Sequence, residues 1–219
     1  HLYLVLDAAA CGERLLAVAE AALQGGVSVL QLRGHKTAWS KRVWYDTALA
    51  VKARCAAHQV PFIINDQVDI ALAVGADGVH IGQSDLPAAV VRRLIGNERI
   101  LGLSTHSVAQ VQAVDSGIVD YIGMGPVFPT RSKADADPAI GLDGLAAMVA
   151  AKRLPGVAIG GINTDNVAAV RAINPDGIAV IGAICGAAAV MGVDGAIRPK
   201  PYKTAVAVAT VVIFGTLSM

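Results

Sequence analysis

Short runs of β-branched and aliphatic residues recur along the chain at nearly regular intervals: LYLVL (2–6), VSVLQLR (27–33), PFIIN (61–65), GVHIG (78–82), RILGLS (99–104), DYIGMG (120–125), GVAIGG (156–161) and GIAVIG (177–182). Each is nearly continuous in its apolar character, the pattern of a strand covered on one face by helices and closed on the other. Between them lie stretches with helical spacing. Residues 13–24 place Leu15, Ala19, Ala22 and Leu23 on one face, and residues 38–58 do the same with Trp44, Ala48, Val51 and Cys55. Further helices are predicted over 67–74, 86–95, 106–116, 143–152, 164–172 and 183–190, several opening on Asp, Ser, Thr or Asn. Eight strands alternating with eight helices in about 190 residues predict a (β/α)₈ TIM barrel. An open doubly wound sheet is the rival, but it commonly uses fewer strands and leaves edges to protect. GADGVHIG and INPDGIAVIG look alike, which reads as one structural solution used twice.

The pattern changes near residue 190. We read 1–190 as a barrel domain and 191–219 as a basic, Pro-containing linker (GVDGAIRPKPYK) followed by an apolar tail (TAVAVATVVIFGTL). That tail is shorter than the 18 or more residues expected of a membrane span, so no membrane partner is expected.

Composition narrows the function classes. A formal net charge of +1 over 219 residues argues against a nucleic-acid surface, so affinity for an anion must come from a local site. The three cysteines, Cys11, Cys55 and Cys185, make neither a metal spacing nor a disulfide framework. With no visible signal peptide, they suit a reducing, cytoplasmic setting. Cys55 reads as a small buried hydrophobe.

In such a barrel, chemistry gathers where the strands end and the βα loops begin. Strand 2 ends in Gln31 and Arg33, with His35 and Lys36 beyond; strand 3 ends in Asn65 and Asp66, strand 4 in Gln83 and Asp85, strand 5 in Ser104 and Thr105. The long loop after strand 6 carries Thr130, Arg131, Ser132 and Lys133, and strands 7 and 8 end in Gly160-Gly161 and Gly182. Asp66 and Asp85 each have an ordinary alternative as helix N-caps. As a pair on neighbouring strands they repel each other unless a cation intervenes, and Mg²⁺ typically takes one or two carboxylates together with water and phosphate oxygens. Arg33 offers a planar fork for phosphate or carboxylate. The glycines after strands 7 and 8 let backbone N–H groups approach a phosphate closely. His80 reads as a satisfied core histidine, and His106 as part of the first turn of the following helix. The mouth thus combines a Mg²⁺ site with a monophosphate site, and no Cys–His or Ser–His nucleophile is evident.

FIINDQVDIALAVGADGVHIGQSDLP, LGLSTHSVAQ, DYIGMGPVFPTRSK and VAIGGINTDN followed by GIAVIGAI closely resemble the thiamine phosphate synthase family, in order, over residues 2 to about 186. The resemblance implies that a phosphorylated pyrimidine and a phosphorylated thiazole are joined: hydroxymethylpyrimidine diphosphate loses pyrophosphate in a dissociative step, and the thiazole nitrogen captures the carbon. It also implies Asp66 and Asp85 as Mg²⁺ ligands. Gln31, Arg33, Asn65, Ser104 and Lys133 would then hold the pyrimidine diphosphate. Thr130, Ser132, Gly161, Ile181 and Gly182 would hold the thiazole phosphate, with Arg33, Ser104 and Lys133 nearest the chemistry. The chain departs from the family pattern in three places. QLRGHK stands for Q-L-R-E-K, so the family lysine falls on His35; TRSK stands for TxTK; and IGAI stands for V-S-A-I. A thiazole tautomerase-like isomerase is the nearest competing function, although Pro126 in GPVF has no proton to transfer. A non-catalytic phosphate-binding barrel is the second. Neither reading specifies an oligomeric state, and a homo-oligomer is compatible with both.

Overall fold

The computed structural model describes residues 1–34, 38–130 and 137–182. Eight parallel strands close into a barrel in chain order: β1 (Leu2–Asp7), β2 (Val29–Arg33), β3 (Phe62–Asn65), β4 (Gly78–Ile81), β5 (Ile100–Thr105), β6 (Tyr121–Met124), β7 (Gly156–Ala158) and β8 (Gly177–Gly182). Pairing of β8 with β1, from Leu2↔Ile178 to Leu6↔Gly182, closes the ring and leaves no edge. Two helices follow β1, α1 (Ala8–Cys11) and α2 (Leu15–Gln24). One helix follows each later strand through β7: α3 (Lys41–Ala57), α4 (Val68–Val74), α5 (Ala88–Ile95), α6 (Val108–Ala113), α7 (Gly141–Ala151) and α8 (Val167–Ala172). The helix expected over 183–190, the linker and the apolar tail lie outside the described residues. None of the described helices is long and apolar enough to cross a membrane.

Alternation along each strand separates two environments. Leu2, Leu4, Leu6, Leu30, Leu32, Phe62 and Ile64 point out to the helices and are fully buried. The helix stripes expected from spacing meet them: Leu15, Ala19, Ala22 and Leu23 on α2, and Trp44, Ala48, Val51 and Cys55 on α3, are all buried. Each large side chain placed there contributes about 1.5–3 kcal/mol. The residues between them point into the barrel, where Tyr3, Gln31, His80, Ser104 and Tyr121 are interspersed with apolar side chains such as Val5, Val157 and Ala179.

The two similar DG segments do share one device, and it occurs more widely than the sequence suggested. Asp77, just before β4, donates its N–H to Phe62 O at the start of β3 and accepts the Phe62 N–H on Oδ2, at 3.0 and 2.8 Å. Asp120 does the same with Leu101, and Asp176 with Gly156. Ser28 makes the equivalent pair with Leu2 through its hydroxyl. The first residue of β1, β3 and β7 and the second of β5 are thus clamped from the start of the neighbouring strand.

Several elements are shorter than predicted, β7 and α6 among them. β7 stops at Ala158 because the chain turns out through Gly160 and Gly161, at φ 100° and 64°. α6 ends at Ala113, where Val114 becomes extended.

Candidate active site

The C-terminal ends of the strands surround a cavity of about 630 Å³. Its walls include Arg33, Asn65, Asp66, Gln83, Asp85, Ser104, Thr130, Gly160 and Ile181, so residues from seven strands or their following loops converge on it. This size falls within the ordinary range for small-molecule sites.

Asp66 and Asp85 both line this space, and neither caps a helix. The N-cap positions of α4 and α5 are Gln67 and Pro87, and neither supplies a side-chain cap bond. Asp66 takes φ 60°, its N–H donating to His80 O at 2.9 Å, which ties the end of β3 to β4. Asp85 closes a tight turn, accepting the Gly82 N–H on Oδ2 at 2.7 Å. The described residues hold no cluster of three or more His, Cys, Asp or Glu side chains suited to a metal. Two carboxylates on an open cavity match the donor set of Mg²⁺, which completes its shell with water and phosphate oxygens.

Arg33 lies at the mouth as expected, but with a partner the sequence did not reveal. Asp7, at the end of β1, accepts from Arg33 Nε on Oδ2 at 2.6 Å, and its Oδ1 accepts the Ala10 N–H as the cap of α1. The register pairs Asp7 directly with Arg33, which sets this ion pair. An Asp at a strand end followed by three alanines, DAAA, was the available signal.

On the opposite wall, Gly160 and Gly161 have a packing reason to be glycine. A Cβ at 160 would overlap Pro126, and one at 161 would overlap Phe128 and the Pro129 carbonyl. Phe128 N–H donates to Gly160 O at 3.0 Å, binding the loop after β6 to the end of β7. No described residue accepts the N–H of either glycine, so both amides remain as donors for an anion. Ile181 faces the cavity one residue before Gly182, where β8 ends. Thr130 lies at the rim of the same wall, whereas His35, Lys36, Arg131, Ser132 and Lys133 lie outside the described residues.

His80 is satisfied, as its sequence context predicted. Nδ1 lies 2.8 Å from Tyr121 Oη and Nε2 2.9 Å from Ser104 Oγ. Burial pushes its pKa down to about 4, against an opposing pull from Asp85, so the ring is neutral. Burial also raises the phenols of Tyr3 and Tyr121, which stay protonated. Neither tyrosine stood out in the sequence, since aromatic residues are ordinary in strands.

His106 departs from expectation. It precedes α6, which is capped by Ser107, and its Nδ1 donates to Gly125 O at 2.6 Å while Nε2 sits 3.3 Å from Asp137. The hydroxyl of Thr105 donates to Gly123 O inside the sheet.

A family model described as thiamine monophosphate synthase matches residues 2–184, and one described as conserved hypothetical protein 698 matches residues 178–219. A thiamine-phosphate synthase of Laribacter hongkongensis is 52% identical over 189 residues, covering 85% of this chain and 88% of that protein. One of Desulfitobacterium hafniense is 49% identical over 185 residues, covering 84% and 88%. Among solved structures, a thiamine phosphate pyrophosphorylase from Pyrococcus furiosus superposes with a TM-score of 0.79 at 34% identity, covering 90% of this chain and 95% of that one.

Proposed function

The chain belongs to the thiamine monophosphate synthase family of transferases, and on that premise we propose that it joins hydroxymethylpyrimidine diphosphate to a thiazole phosphate, giving thiamine phosphate and pyrophosphate. The observation that carries the reading is one cavity with two unlike walls. Asp66 and Asp85, a pair suited to a cation, stand on one, and the unaccepted amide of Gly160 on the other.

In the reaction the C–O bond between the pyrimidine methylene and the diphosphate breaks, its electron pair leaving with pyrophosphate. A C–N bond then forms from the thiazole nitrogen. An amino-substituted pyrimidine spreads the positive charge left on the methylene, so no protein nucleophile is required. Arg33, Asn65 and Ser104 offer the diphosphate donors, with Lys133 and His35 assigned to it by family resemblance. Arg33 is oriented by Asp7 through its Nε, which sets the guanidinium at the cavity wall. The backbone at Gly161 and Gly182, with Thr130, Ser132 and Ile181, is assigned to the thiazole phosphate. Mg²⁺ held by Asp66 and Asp85 would neutralise the departing diphosphate. Placing both substrates in one cavity excludes water from the cation until the nitrogen captures it.

Supplying the purified protein with Mg²⁺ and both substrates should give thiamine phosphate, and a chelator should stop it. Turnover indifferent to chelator would remove the metal from this account. Absence of turnover, with isomerisation of a thiazole carboxylate instead, would favour the tautomerase-like reading.

A further inference from the structure

His106 touches both flanks of the loop that joins β6 to α7. Gly125 O, just past β6, can only accept, so His106 Nδ1 carries the proton of that 2.6 Å contact. On the other side of the ring, Nε2 lies 3.3 Å from Asp137 Oδ2, on the stretch leading into α7. The residue is braced from α6, its backbone N–H donating to Gln110 Oε1 at 2.6 Å. Both His106 and Asp137 line the cavity, and neither has a part in breaking or making the bonds of the joining step. Among the described residues, the imidazole is the one polar partner of the Asp137 side chain.

The first flank is joined in turn to the end of β7. Val127 N–H donates to Ile159 O at 2.8 Å and Phe128 N–H to Gly160 O at 3.0 Å. Gly125 lies so close to the same segment that a Cβ there would overlap Ile159 O. Backbone bonds also tie the two flanks to each other, Ile140 N–H donating to Pro126 O at 2.9 Å and Gly141 N–H to Val127 O at 3.0 Å. His106, Gly125 and the Ile159–Gly160 backbone therefore form one connected unit, with Thr130 at its rim.

We propose that His106 and Asp137 are positioning residues for the thiazole phosphate: the imidazole spans the two flanks of the β6–α7 loop and so fixes Thr130 relative to the Gly160 amide. The inference rests on the thiazole phosphate reading above. Without the span, the incoming phosphate must itself order the loop, and that cost appears as weaker binding of this substrate. The pyrimidine diphosphate keeps Arg33, Asn65, Asp66, Asp85 and Ser104, which stand at the ends of other strands, so its affinity moves less.

Steady-state kinetics on the full chain with Mg²⁺ reads the two KM values separately. His106→Ala removes both contacts and should raise KM for the thiazole phosphate about tenfold, while KM for the pyrimidine diphosphate rises less than about threefold. Asp137→Ala should raise the first about threefold, as suits a half-exposed ion pair. This second variant decides the matter even if His106→Ala fails to fold. Asp137→Asn should restore most of that loss, because an amide N–H at this position can donate to the Nε2 lone pair. With both alanines together, KM for the thiazole phosphate should be no higher than in His106→Ala, since the two residues act through one contact. An unchanged thiazole phosphate KM in Asp137→Ala, an equal rise in both KM values, or effects that multiply independently would each overturn the inference and leave the synthase reading intact. Absence of turnover in the unaltered protein would overturn the synthase reading, and this inference with it.

Discussion

Aspartates mark both ends of the barrel, and the two sets are used in opposite ways. At the N-terminal rim, Asp77, Asp120 and Asp176 each precede a strand and accept a backbone N–H from the start of the neighbouring strand. Two of them also meet a cation, Asp120 with Arg92 at 2.6 Å and Asp176 with Lys152 at 2.6 Å. At the C-terminal rim, Asp66 and Asp85 follow strands and border the cavity. The side chain is the same; what differs is whether the start of a neighbouring strand or the cavity lies beside it, Asp85 also accepting the Gly82 N–H of its own turn. A parallel barrel presents both conditions, because every strand starts at one rim and ends at the other. Conserving the fold is the task of one rim and chemistry the task of the other.

The comparison breaks most sharply at the C-terminal acids. Asp66→Asn should lower kcat/KM on the order of 100-fold or more, in line with removal of an electrostatic stabiliser, with a urea midpoint close to that of the unaltered protein. Should steady-state kinetics stay unchanged, the two rims would not differ as argued. Asp77→Ala should do the reverse. The orphaned Phe62 N–H costs about 1–3 kcal/mol, read as an earlier urea midpoint, while kcat/KM of the folded enzyme stays within about twofold. Gly102→Ala probes the region between the rims. Its Cβ must displace Tyr121 or His80, so a stability loss of about 1–3 kcal/mol is expected together with a weaker pyrimidine affinity.

The smallest effect concerns acid. Burial opposes ionisation of Asp176, but hydrogen bonds from Lys152 and the Gly156 N–H, aided by the lysine charge, outweigh it and hold the carboxyl below its usual range. A depressed folded pKa means that this stabilisation is present above the unfolded carboxylate value and is lost as pH falls through the folded one. The Asp176 side chain is 46% exposed, so solvent screening keeps the contribution well below about 1 kcal/mol. Denaturation between pH 5 and pH 2 should therefore be slightly less pH-dependent in Asp176→Asn (roughly the window of carboxylate titration). An unchanged pH slope would show that the carboxyl is not held low.

Much of this was legible along the chain. The apolar runs marked all eight strands, since their outward faces pack on helices and their inward faces hold only scattered polar residues. The acids of the cavity were legible too, because ND and QSD stand just after strands, where only a mouth or a helix cap could use them, and the caps proved to be Gln67 and Pro87. The repeated DG segments showed that Asp77 and Asp176 shared a role but not which N–H groups they accepted. Asp120 and Ser28 were missed, since DY and VSV carry no turn signal.

The hydrophobic periodicity by itself determined the order of strands and helices, and with it the rim on which each polar residue stands, because a strand's direction fixes which of its ends is the mouth. Pairings across the barrel belong to the tertiary structure alone. Asp7 finds Arg33 through the β1–β2 register, and Tyr3, Tyr121 and His80 meet only where β1, β6 and β4 face one another across the interior. Residues separated by 118 positions have no local pattern that announces their contact; the curvature of a closed sheet brings them within hydrogen-bond distance.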